Sequence, residues 1–404
     1  MSAPTATTTS AAAPRPTAAV QDPTVAELAR QVAEVAGEHA ERADNEAEFP
    51  AEALAEMRRT KLLGLLVPRA HGGLGGTTAD MVEASYLLGR TDMSVAMIFA
   101  MHCQQVATLV RHGSKLLNQR LLPEIAAGQR YLASVTTDAG NGGQLLGSSD
   151  ALEANAGELI VDRFAPVVTG GENADGYLIT MRAADAASAV ETSLVYADRV
   201  QLDLETAGDW QSLGMRASHS VPLRLKGRVP AYHTIGEDGG FRSVAVATFA
   251  PMAHLGWSAS WLGTAAGALS RVLHLLRSPA SRARTDLTSA LLLTRLSRAR
   301  QRLDQVHALL TRTLATVTRE PDLSRPSIQL QLNALKISAA EECYRAVDEL
   351  VDAVGMRHGY LRDSPTRLER ALRDLRSAAL NYSNDRLHLA DGNLVLLDPE
   401  VRFA

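Results

Sequence analysis

The residues whose types and spacing could do chemistry sit in three polar strings, each interrupting runs of β-branched residues. Thr136-Thr137-Asp138-Ala139-Gly140-Asn141-Gly142-Gly143 follows the strand-like run YLASV. Val167-Val168-Thr169-Gly170-Gly171-Glu172-Asn173-Ala174-Asp175 is the second, and Leu213-Gly214-Met215-Arg216-Ala217-Ser218 the third. Each alone reads as a turn. A threonine at a strand end, beside free backbone N–H groups, is also what the edge of a flavin ring requires. Ring oxygens and nitrogens take hydrogen bonds from hydroxyls and main chain, while the ring itself lies on apolar side chains.

The remaining candidates have plainer readings. His71-Gly72-Gly73-Leu74-Gly75-Gly76 lacks both the preceding strand and the following Lys-Ser/Thr of a phosphate loop. It reads as a helix–helix turn whose glycines supply positive φ. The chain contains no GxGxxG, HExxH, GxSxG or CxxC, and its histidines form no i, i+4 pair with a carboxylate partner. Cys103 and Cys343 lie far apart in helical patterns and read as packing residues in a reducing, cytoplasmic setting. The net charge of -4 and absence of a dense Lys/Arg run leave no basic face for nucleic acid. No apolar run is read as reaching the roughly 18 residues of a membrane span.

These strings need a scaffold, and the hydrophobic periodicity predicts one of three parts. Residues 1–24, rich in Ala, Thr and Pro, read as a disordered tail. Residues 25–129 read as an N-terminal helical domain, in which Met93 to Val110 is apolar almost all round and therefore interior. Residues 130–240 carry short alternating runs punctuated by Gly, Asn and Asp, which predict a β barrel or sandwich. Residues 241–404 return to long amphipathic helices, the last predicted from Thr366 to about Leu389. The fold class is therefore α+β.

Taken together, the strings resemble the acyl-CoA dehydrogenase family, from Val25 to about Asp398. The resemblance implies a helical N-terminal domain, a middle β domain, a C-terminal four-helix bundle and an FAD cofactor. Val135-Thr136 stands where the family's strand leads into T-E-P-x-A-G-S-D, which places Thr136 on the flavin pyrimidine. Gly142 replaces the serine that would meet the substrate's pantetheine arm. Val168-Thr169-Gly170 with Ala174-Asp175 matches W-I-T-N-G-x-x-A-D, which places Thr169 near flavin N5, with Val167 in place of the tryptophan. Leu213 to Ser218 matches L-G-x-R-x-S. Gly355 and Gly359-Tyr360 resemble the G-G-x-G-Y turn that approaches the FAD of a neighbouring subunit, and Arg370 to Asp374 matches E-R-x-x-R-D in outline. Arg277 to Arg284 keeps arginines of a further FAD segment but not its phenylalanine or glutamine.

The departure that matters falls after Arg373-Asp374. Where the family has Y-E-G-T, whose glutamate removes the substrate α-proton, this chain reads Asn381-Tyr382-Ser383-Asn384-Asp385-Arg386. Tyr382 stands at the glutamate position. The alternative position used by some relatives falls near Ala253, beside His254, so Tyr382 and His254 are the catalytic candidates. Asn384 and Arg386 join the cofactor candidates. Tyrosine, with an ordinary pKa near 10, is a weak base for α-proton removal. Desaturation of an acyl thioester, in either of two forms, is the leading expectation, with a flavin monooxygenase on the same fold as its alternative. The first form is desaturation with a displaced base, and the second is desaturation in a pair with a homologous subunit that supplies it. In the monooxygenase, reduced flavin reacts with O₂ and Asn384 or His388 is placed to hydrogen-bond the oxygen. A non-catalytic scaffold is a further alternative. Implied partners are an acyl-CoA or acyl-carrier-protein substrate, an electron acceptor or flavin reductase, and further subunits, with neither nucleic acid nor membrane.

Overall fold

The computed structural model describes residues 23–138, 145–283, 285–397, 400, 401 and 403. The tail expectation for residues 1–22, and the stretch Ala139 to Gly143 of the first polar string, lie outside these.

Five helices form the N-terminal part: α1 (Val25–Glu46), α2 (Ala51–Arg59), α3 (Thr78–Gly89), α4 (Met93–His112) and α5 (Lys115–Ala126). Sequence-local side-chain caps start four of them, Ser114 at α5 among them. Thr24 and Glu27 at α1, and Thr77 and Asp80 at α3, each form a reciprocal capping box that satisfies otherwise orphaned N–H groups. Asp92 caps α4 through the Val95 N–H. Contrary to the sequence expectation, α4 is long and apolar enough to cross a membrane by length and composition. In this fold 83% of that stretch is buried inside the protein, as an interior helix should be. The pattern of residues 50–68 predicts one short helix closed around Gly64 and Pro68, and the helix stops earlier. α2 ends at Arg59, Lys61 takes a left-handed conformation, and short 3₁₀ turns follow. The glycine-rich stretch is a helix–helix turn, with Gly72 and Gly75 at positive φ.

The middle part is a sandwich of two four-stranded sheets. One has the order β1 (Leu132–Val135), β4 (Gly176–Arg182), β5 (Thr192–Asp198), β8 (Thr234–Ile235). The other runs β2 (Glu153–Asn155), β3 (Glu158–Ala165), β7 (Leu223–Pro230), β6 (Leu202–Thr206). The six longer strands coincide with the alternating runs at 130–137, 158–164, 175–183, 192–199, 200–206 and 221–227. The very short β2 and β8 carry too few residues for a period-2 signal. β1 pairs parallel to β4, Leu132 opposite Gly176, so both strands end on the side where Thr136 emerges.

The C-terminal part comprises a helical turn α6 (Phe241–Val244), a π turn over Ala245–Phe249 and the long α7 (Ala250–Arg277). The turn α8 (Pro279–Arg282), then α9 (Ala290–Arg319), α10 (Pro326–Gly355), α11 (Leu368–Arg376) and α12 (Asn384–Val395) complete it. α7 lies at the centre, packing on α3, α4, α9 and α10. Small residues permit the closest approach: a Cβ on Gly263 would meet the Tyr86 carbonyl oxygen at 2.2 Å. The single final helix predicted from Thr366 to about Leu389 is two helices. α11 ends at Arg376, Tyr382 adopts φ 53, and α12 begins at Asn384. Neither Gly nor Pro marks this break, so the periodic apolar residues on either side read as one helix.

Candidate functional site

A cavity of about 310 Å³ opens where the β sandwich meets α4, α7 and the turn between α11 and α12. One wall is hydroxyl-rich: Thr136 and Thr169, from the first two polar strings, with Ser218 and Ser220 after the third. Thr169 Oγ1 lies 3.0 Å from Ser220 Oγ, which is 2.8 Å from Ser218 Oγ. The opposite wall is apolar and aromatic, with Met97, Met101, Phe249 and Trp257. A hydroxyl edge facing an apolar face fits the donor set of a planar heteroaromatic ring with a polar rim.

Each string is held from behind. Asp175 Oδ2 accepts from the Tyr131 N–H at 2.7 Å and from Arg58 Nη2 at 2.6 Å, which fixes the entry to β1. His102 bridges the same entry to the helical part, with Nδ1 accepting from the Leu132 N–H at 3.0 Å and Nε2 lying 2.9 Å from the Leu63 carbonyl oxygen. Burial holds its pKa down to about 4, so it is a neutral structural bridge. Beyond Thr137, the fully buried Arg163 donates to Asp138 and Asp150 and to the Thr137 carbonyl. The third string is pinned to α11. Met215, at φ 55, donates its N–H to Asp374 Oδ1 at 2.6 Å, while Arg373 reaches the Leu213 carbonyl and Asp44. Arg216 donates to the Asp44 and Asn45 carbonyls at the end of α1, where a guanidinium suits the negative helix end. The conspicuous charged residues of the strings therefore build the scaffold, and the hydroxyls face the cavity.

The two catalytic candidates do come together. His254 and Tyr382 both line the cavity, their ring centroids 6.2 Å apart, and Ala253 lines it as well. The π turn before α7 offsets the helix here; Gln104, from α4, donates to the Phe249 carbonyl at 2.9 Å. Burial, helped by the nearby Lys336 charge, pulls the His254 pKa down to about 3, and its Nδ1 has no hydrogen-bond partner among the described residues. Burial raises the Tyr382 pKa, partly offset by Arg386, so the phenol keeps its proton. Among the described lining residues the ionisable side chains are His254, Tyr382 and Arg386; no Asp or Glu lines the wall.

The cofactor candidates divide. Thr136, Thr169 and Arg386 line the cavity. Val135 and Val168 are fully buried and direct their side chains into the core. Gly355 and Gly359 lie at the end of α10, outside this cavity wall, and His388 is exposed on α12. Asn384 is buried behind the wall, with Oδ1 accepting from Lys336 Nζ at 2.8 Å. Lys336 itself escaped the sequence reading. It sits mid-helix in an otherwise apolar stripe of α10, and that charge at a core position was its only signal.

Comparison with known proteins adds independent findings. Residues 21–129 match the family described as acyl-CoA dehydrogenase, N-terminal domain, and residues 239–381 match acyl-CoA dehydrogenase, C-terminal domain. Acryloyl-CoA reductase (NADH) of Anaerotignum propionicum is 25% identical over 231 residues, covering 56% of this chain and 58% of that protein. A probable acyl-CoA dehydrogenase of Mycobacterium leprae is 26% identical over 345 residues, covering 82% of this chain and 83% of that protein. Among solved structures, the FMN-bound TdsC of Paenibacillus sp. A11-2, a dibenzothiophene monooxygenase, superposes with a TM-score of 0.81 at 21% identity. It covers 94% of this chain and 98% of its own.

Proposed function

Since the chain belongs to the acyl-CoA dehydrogenase family, we propose that it is a flavoenzyme of that family working as a monooxygenase, with reduced flavin and O₂, on a small organic substrate. One observation carries this reading: the ionisable side chains of the described wall are a neutral imidazole, a protonated phenol and a guanidinium. α-Proton removal from a thioester needs a base matched to that proton, which a buried carboxylate supplies and a phenol with a raised pKa does not.

Thr136 and Thr169 would hold the polar edge of the flavin, and the Ser218–Ser220 pair would extend that row of hydroxyls. A flavin bound there would supply two-electron redox chemistry and, once reduced, reaction with O₂. Met97, Met101, Phe249 and Trp257 exclude water from the opposite side. Tyr382 donates a hydrogen bond into the cavity, and His254, neutral across the working pH range, accepts one or relays a proton. FAD is the cofactor we infer from the family resemblance; chromatography of the flavin released on denaturation distinguishes it from FMN. Electrons would arrive from a flavin reductase. That the fold also carries oxygen chemistry in TdsC agrees with this reading.

The test is substrate-dependent oxygen uptake by the chain with NADH and a flavin reductase, with ¹⁸O from O₂ appearing in the product. Uptake that yields only hydrogen peroxide for every substrate tried refutes the reading. Desaturation of an acyl thioester in a pair with a homologous subunit is the second reading, favoured by the exposed apolar row Leu389, Val395, Leu396 and Leu397 on and after α12. A chain colourless alone and yellow only when co-expressed with such a homologue would support it.

A further inference from the structure

We propose that Lys336 is a positioning residue: its buried side chain holds the turn from Ser377 to Ser383, and with it the Tyr382 ring, against the cavity opposite His254. This rests on the reading of Tyr382 as a working group of the cavity.

The side chain of Lys336 is fully buried in α10, yet it is completely partnered. Nζ donates to the Ala378 carbonyl at 3.1 Å, the Tyr382 carbonyl at 2.9 Å and Asn384 Oδ1 at 2.8 Å. An ammonium has three protons and no acceptor capacity, so three oxygens satisfy it in full. These acceptors span the break between α11 and α12. They include the carbonyl of Tyr382, which is held in the left-handed region at φ 53, where a residue with a side chain does not settle unaided. On the α7 side, Nζ lies 5.7 Å from the centre of the Trp261 ring, within range of a cation–π contact. The charged and titratable groups facing it are Glu341 on α10, His254 on α7 and Tyr382 on the turn. Glu341 also accepts from Asn384 Nδ2 at 3.3 Å, closing the network.

Geometry makes this more than a satisfied core lysine. Ser377, Leu380, Asn381, Tyr382 and Ser383 all line the cavity, and the Lys336 acceptors fall within or directly beside that stretch. An apolar residue at 336 would leave two buried carbonyls and an amide without donors, and the turn would move to find water. Burial lowers the Lys336 pKa itself to about 7, and in its protonated form the ammonium adds to the burial that keeps the His254 imidazole neutral. One buried group thus holds the location of the phenol and adds to the burial that keeps its neighbour neutral.

The experiment uses the full chain with Lys336→Met, Lys336→Arg and Asn384→Leu, followed by hydrogen exchange, ¹⁵N histidine spectra and turnover. Lys336→Met is expected to speed exchange at residues 378–384 by about tenfold or more, the scale of one lost charge-assisted hydrogen bond, with β4 and β5 unchanged. It should raise the His254 titration midpoint, and Lys336→Arg should restore both signals at least in part. If Lys336→Met does not fold, Asn384→Leu keeps the charge, removes one acceptor and is expected to speed exchange at the same residues. In turnover, the Lys336→Met and Tyr382→Phe losses should not multiply in the double variant, whereas general destabilisation would make them multiply. Unchanged exchange at 378–384 in every folded variant overturns the proposal. Since exchange and histidine spectra need no substrate, a chain without oxygenase activity would refute the functional reading and leave this test standing.

Discussion

Gly214→Ala is the sharpest structural perturbation of the site. A Cβ at Gly214 would stand 2.1 Å from the Arg373 carbonyl oxygen, 2.2 Å from its carbon and 2.6 Å from the Asp374 nitrogen. These are backbone atoms of α11 and cannot swing aside. Reaching an ordinary contact of 3.4 Å requires about 1.3 Å of separation. That shift breaks the 2.6 Å bond from the Met215 N–H to the buried Asp374 and strains the 3.1 Å bond from Arg373 to the Leu213 carbonyl. Burial raises the Asp374 pKa to about 7; above that pH the bond is one to a buried charged group, worth about 1.5–3 kcal/mol, so at about pH 8 the total loss should be about 3 kcal/mol. Because Met215, Ser218 and Ser220 line the cavity, flavin affinity should fall by about tenfold, the equivalent of one misplaced hydrogen-bonding wall. Urea unfolding and a fluorescence titration with flavin measure both. A variant within about 0.5 kcal/mol of the parent, the range of a neutral surface change, and with unaltered flavin affinity would refute the pinning of this loop by α11.

Other consequences are equally direct. Tyr382→Phe keeps the ring and removes the hydroxyl, so flavin binding should persist while turnover falls by about 100-fold, the lower range for a proton-transfer group. His102 has a folded-state pKa of about 4, below its ordinary 6.5. The unfolded chain therefore takes up protons first as pH falls, and stability drops between pH 6.5 and 4 by up to about 3 kcal/mol from this group. Urea midpoints at pH 4.5 and 6.5 check the sign, and His102→Gln should flatten the slope. Cys103 and Cys343 are buried, which raises both thiols well above their ordinary range. Neither should react with iodoacetamide until the chain unfolds, as mass spectrometry would show.

The sequence carried the architecture because the two periodicities are distinct: alternating residues from Tyr131 to Gly227, helical stripes on either side. It also led to Thr136, Thr169, His254 and Tyr382, four side chains that meet in one cavity from four separate segments. Where it fell short, the cause was local. Ser377 to Ser383 contains no glycine or proline, so a left-handed tyrosine held by tertiary contacts left no trace in the pattern. Asn384 belonged by position to the family string, but its direction was set by a lysine 48 residues away. Val135 and Val168 neighbour the site in sequence only: strand alternation turns Val135 to the core, and Val168, in the turn after β3, is buried in the same core. Lys336 was invisible as a functional residue, since its acceptors are mostly main-chain oxygens brought together by packing α10 on the turn.

Among the described residues of the cavity wall, no side chain is a base fit for an α-proton. Incubating the flavin-loaded enzyme with a saturated acyl-CoA in D₂O, without oxygen, tests it directly. The expected result is no deuterium at the acyl α-carbon and no bleaching of the flavin, while Tyr382→Glu, which restores the family's carboxylate, introduces exchange. Deuterium incorporation or bleaching by the unaltered chain would contradict it.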